Sequence, residues 1–103
     1  APDKPDPQGF INLSKKLLGD SFGESNIPIA YVGDTIADIK TVINARNKIP
    51  SQKFISIGIA PPHLHLKSRL KERSSYEKNL KIAGADLILT SINELKNINL
   101  KLF

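Results

Sequence analysis

The chain has 103 residues and a mass of 11.3 kDa, is 40% hydrophobic and 24% charged, and carries a formal net charge of +5. That is one domain or a piece of one, within the composition range of soluble globular chains and outside that of disordered ones. The absence of Cys excludes disulfides, zinc–thiolate sites and thiol nucleophiles, and it fits a reducing, cytoplasmic compartment.

The N-terminus, APDKPDPQGF, is rich in Pro and Asp, lacks the apolar stretch of a signal peptide, and reads as extended because each Pro pushes its predecessor out of the helical region. Asp6 and Pro7 predict a helix start, with Asp6 as N-cap and Pro7 at the first helical position. Phe10, Leu13 and Leu17, supported by Ile11 and Leu18, recur at helical spacing until Gly19 stops the helix. A polar loop over 20–28 leads into Ile29–Val32, a short unbroken apolar run ending at Gly33 that reads as a buried strand. Ile36, Ile39, Val42 and Ile43 give the following helix its inner face, and the polar NKIPSQK ends it.

Phe54–Ala60 reads as a second strand, Pro61-Pro62 breaks it, and residues 61–68 read as loop. A helix is predicted from about Ser68 to Ala83, with Tyr76, Leu80 and Ala83 on its inner side and Gly84 as its stop. Asp86–Thr90 is a third strand, and Ser91-Ile92-Asn93-Glu94 reads as a capping box opening a short helix. No stretch reaches the about 18–20 apolar residues of a membrane span, so no membrane is expected. Alternation of this kind predicts an α/β fold, a Rossmann-like parallel sheet of about three strands with four helices in an α/β/α arrangement.

Ligands of such sheets sit beyond the carboxyl ends of the strands. Asp34 falls there, directly after Gly33, and Asp38 follows four residues later in the first turn of a helix, so both carboxylates are expected to share one crevice. Two such groups repel unless a cation or proton neutralises them. Oxygen-only ligation with open positions suits Mg²⁺, so Asp34 and Asp38 are the expected metal ligands. Thr35 adds a hydroxyl placed either to cap the helix or to stand behind those ligands. Lys4, stiffened by Pro5 and Pro7, is placed to neutralise the carboxylates and meet a phosphoryl oxygen. The plain structural reading of the same residues is an N-capped helix and a surface lysine.

KPDPQGF, YVGDTIADIKTVINAR and AGADLILTSINEL, in that order, resemble the C-terminal half of a haloacid dehalogenase-like hydrolase. Within that superfamily the resemblance is to the group containing phosphoglycolate phosphatase and β-phosphoglucomutase, and it spans nearly the whole chain. It implies a Mg²⁺-dependent phosphatase or mutase acting on a small phosphorylated metabolite through an aspartyl-phosphate. It also implies that Lys4 is the catalytic lysine, Asp34 a metal ligand, and Asp38 a ligand of the metal or of its waters. Two aspartates in the GDT-x-x-D segment favour this branch over the metal-free dehalogenases.

The nucleophile of that family, an aspartate in Asp-x-Asp-x-Thr, is not found in these residues, nor are its phosphate-holding Ser or Thr motif and its cap domain. Residues 1–103 are therefore expected to be the C-terminal part of a core domain, inactive alone and partnered by an N-terminal half of the same protein. The alternative is a non-catalytic α/β binding module whose basic surface meets an acidic partner or nucleic acid. Nucleic acid is disfavoured: the densest basic stretch, KSRLKER, reads as a solvated helix face with few aromatics for base stacking. His63 and His65 fall on a loop with no third ligand nearby, so they read as exposed residues or substrate contacts rather than a metal site.

Overall fold

The computed structural model describes residues 4–24 and 27–91. The chain runs α1 (Gln8–Leu18), a 3-10 turn (Gly19–Ser21), β1 (Ile29–Gly33), α2 (Ile36–Lys48), β2 (Phe54–Ile59), 3-10 turns at Pro62–His65 and Lys67–Arg69, α3 (Leu70–Ala83) and β3 (Leu87–Leu89). The expected α/β fold is present as a three-stranded parallel sheet in the order β1-β2-β3, accompanied by three α-helices. The fourth predicted helix lies outside the described residues. No described helix is long and apolar enough to cross a membrane.

Gly33 of β1 pairs with Gly58 of β2, and Gly58 pairs in turn with Ile88 of β3, so the strands end together at one rim. Side chains alternate between faces along a strand. The face carrying Ile29, Tyr31 and Phe54 packs with Ile11, Val42 and Ala45 from α1 and α2, closed by Phe10, Leu18, Phe22 and Ile49. Phe10 lies edge-on to Tyr31, with ring centroids 5.1 Å apart. A second cluster joins Ile39, Leu80 and Ala85, which docks α3 against α2. Ile55, Ile57 and Leu89 form a third, on the opposite face.

Several boundaries differ from expectation. Lys4 and Pro5 form a turn with a cis peptide bond instead of an extended lead, and Asn44 on α2 donates to the Pro5 carbonyl at 2.9 Å. Helix α1 begins one residue later than expected, with Pro7 as N-cap, yet the Asp6 carboxylate still accepts from the Gln8 amide at 2.9 Å. The stretch expected as loop over 61–68 contains two 3-10 turns, the first burying Leu64, so α3 starts at Leu70. Gly84 ends α3 at φ +120°, a conformation disfavoured for residues with a Cβ.

Candidate functional site

The rim of β1 is built around Asp38. Thr35 is the N-cap of α2: its hydroxyl accepts from the Asp38 amide at 3.1 Å while the Asp38 carboxylate reaches back to the Thr35 amide at 3.2 Å, closing a capping box. The same carboxylate oxygen, Oδ2, accepts from the Asp34 amide at 3.1 Å. The other oxygen, Oδ1, accepts from the Tyr31 hydroxyl at 3.1 Å and pairs with the Lys4 ammonium at 2.5 Å. Asp38 is only 3% exposed, whereas the Lys4 side chain is 53% exposed. A buried carboxylate thus anchors a lysine that remains open to solvent.

Gly33 makes this possible. A Cβ there would lie 2.3 Å from the Asp38 Cβ and 2.8 Å from Oδ2, so any larger residue would displace the carboxylate. Burial opposes ionisation of Asp38, but the bonds from Lys4, Thr35 and Tyr31 outweigh it and hold the carboxyl below its ordinary value. Lys4 is raised, chiefly by its hydrogen bond to Asp38 and then by one to Tyr31. The ammonium, paired with Asp38 yet half exposed, keeps N–H capacity for a ligand.

Asp34 is held differently. Its amide donates to Asp38 and its carbonyl accepts from the Tyr76 hydroxyl on α3, so its backbone is fixed at both ends. Burial and the nearby charges of Asp34 and Asp38 raise the Tyr76 phenol, which keeps it a donor. The Asp34 carboxylate itself makes no hydrogen bond or ion pair with a described residue. Tyr76, expected only as core, is thus a support of the site; its signal was a polar tip on an inward-facing helical position.

The expected single crevice is divided. Lys4 and Tyr31 line a cavity of about 250 Å³ beside α1. Asp34 lines another, of about 480 Å³, with Ile59, Ala60, Pro62, His65 and Ser91. Asp38 lies between Lys4 and the Asp34 backbone, bonded to both. As a test of fit for Mg²⁺, Asp38 already accepts four donors, one for each lone-pair position of a carboxylate, and has none to spare. Asp34 has free oxygens. Among the described residues no group of three or more His, Asp or Glu is placed to hold a metal ion.

The chain matches no protein-family model, no curated protein and no solved structure.

Proposed function

We propose that this chain supplies the lysine and the metal-ligating carboxylate of a Mg²⁺-dependent phosphatase of the haloacid dehalogenase type. The attacking aspartate would come from an Asp-x-Asp-x-Thr segment outside these 103 residues. The observation that carries the reading is the Lys4–Asp38 pair at the rim of β1, with the uncommitted Asp34 carboxylate four residues away in sequence. The ammonium and the anionic ligand line two cavities with Asp38 between them, and in this reading a phosphoryl group with its counter-ion bridges the two.

In this reading Lys4 donates an N–H to a phosphoryl oxygen and steadies the negative charge as it shifts during transfer. Asp38 is the positioning group: it fixes the ammonium through Oδ1 and the Asp34 backbone through Oδ2. Asp34 would hold Mg²⁺, which when bound neutralises phosphoryl charge. Tyr76 and Thr35 fix the loop that carries Asp34. Asp34 bound in this role cannot also attack phosphorus, so in this reading the attacking aspartate is a different residue.

The pure chain is therefore expected to show no turnover of p-nitrophenyl phosphate, and joining it to a segment that bears Asp-x-Asp-x-Thr after a strand should create turnover. Mg²⁺ added to the isotope-labelled chain should shift the Asp34 resonances, and Asp34→Asn should remove that shift. Turnover by the chain alone that disappears in Asp34→Asn would contradict the assignment of roles.

A further inference from the structure

The cavity that Asp34 lines opens where all three strands end. Its remaining walls come from the end of β2 and the turn after it (Ile59, Ala60, Pro62, His65) and from Ser91 beyond β3. Small-molecule sites have this form: a few hundred Å³, walls mostly apolar, and a small number of fixed polar groups. Its volume of about 480 Å³ is well above what one phosphoryl group fills.

Both main polar groups at this cavity are positioned by the backbone. Asp34 is fixed through its own amide and carbonyl, as described above. The His65 Nε2 lies 2.8 Å from the Ala60 carbonyl oxygen. A carbonyl can only accept, so Nε2 carries the proton, and in the neutral ring Nδ1 is left as the acceptor. No described residue donates to Nδ1. The cavity wall therefore combines hydrocarbon from Ile59, Ala60 and Pro62 with the polar residues Asp34, Ser91 and His65, the last with its Nδ1 not engaged by a described donor.

We infer that this cavity seats the alcohol part of a phosphomonoester: a short carbon skeleton lying against Ile59, Ala60 and Pro62, with a free hydroxyl donating to His65 Nδ1. The inference rests on the phosphatase reading for the phosphoryl end and adds the chemical class of the other end. It makes His65 a specificity-determining residue, selecting hydroxylated over plain alkyl esters. The matched pair for discrimination is glycerol phosphate against n-propyl phosphate, which share a three-carbon chain and differ in hydroxyls.

The test is a titration of the isotope-labelled 103-residue chain with each ester, with inorganic phosphate and with Mg²⁺ alone, read at the His65 ring nitrogens and at the Ile59, Ala60 and Asp34 amides. Glycerol phosphate is expected to bind about five- to tenfold tighter than n-propyl phosphate, the worth of one hydrogen bond, and to shift Nδ1. The n-propyl ester should shift the amides only, and inorganic phosphate should leave Ile59 and Ala60 unmoved. His65→Ala should bring the two esters to equal affinity, and His65→Gln should restore part of the difference. Equal affinity of the two esters for the unaltered chain, or no response at the cavity from either, overturns the inference. If Mg²⁺ still shifts Asp34 in that case, the phosphatase reading stands without it. A His65 response to glycerol phosphate with no Mg²⁺ response at Asp34 supports the cavity assignment and counts against the metal role.

Discussion

Asp38 concentrates the energetics of the site in one side chain. It closes the capping box of α2, accepts from two backbone amides, and holds Lys4 and Tyr31. Asp38→Ala leaves those amides without their acceptor and removes the cap, at an expected cost of about 2–4 kcal/mol in denaturant unfolding. Asp38→Asn keeps an acceptor oxygen and should cost less. The pH dependence has a definite sign. Because the folded-state value of Asp38 is depressed, its contribution is present above the ordinary aspartate range of about 3.9. It is lost as pH falls through the lower folded value. Unfolding followed from pH 6 downward should therefore show a steeper acid loss in the unaltered chain than in Asp38→Asn. Lys4 has the opposite sense: raised in the fold, its contribution is present below the ordinary lysine range and disappears at alkaline pH above its folded value.

Among elements, two close approaches set the positions of α2 and α3. Gly33 lets the Asp38 carboxylate lie on the backbone at the end of β1, and Gly33→Ala should displace it, costing about 1–3 kcal/mol and releasing Lys4 from its ion pair. Gly84, at φ +120°, has the Ile43 Cδ1 where a Cβ would be 2.4 Å away; Gly84→Ala is expected to destabilise by a similar amount of about 1–3 kcal/mol through both strain and overlap. The start of β3 is tied by Asp86, whose carboxylate accepts from the Ser56 amide at 2.8 Å and pairs with Arg46, while its own amide donates to the Ser56 carbonyl. Asp86 thus docks the start of β3 against β2 and α2. Gln52 does similar work at the amino-terminal end of β2, accepting from Gly23 and donating to the carbonyls of Ile27 and Lys53. Nothing in its sequence context marked it, because its partners lie up to 29 positions away.

For the molecule as a whole, β1 pairs with β2 on one side and with no described strand on the other. Val32 beside that edge is 36% exposed, and Leu13, Leu17 and Ile36 are exposed as well. An unpaired strand edge flanked by apolar side chains invites pairing with another chain. The chain is expected to self-associate as its concentration rises, and Val32→Lys should suppress this in sedimentation velocity while leaving thermal unfolding nearly unchanged. A segment supplying a neighbouring strand should have the same effect as that charge.

The elements and their order were legible because they depend on local pattern: apolar periodicity, Pro and Gly punctuation, and capping residues. The three strands, α2 and the end of α3 at Gly84 all follow from such signals within a few positions of sequence. The GDT-x-x-D spacing likewise fixed the junction of β1 and α2, since a capping box is closed by residues three apart. What tertiary structure alone decided is how the charges are shared. Lys4 reaches Asp38 across 34 positions, Tyr76 holds Asp34 from α3, and Asp38 is saturated by donors while Asp34 is left free on a different cavity. Spacing along a chain specifies which residues share a turn or a helix face. It does not specify which donors a folded chain delivers to a buried carboxylate, because those arrive from elements that meet only when the sheet and helices pack.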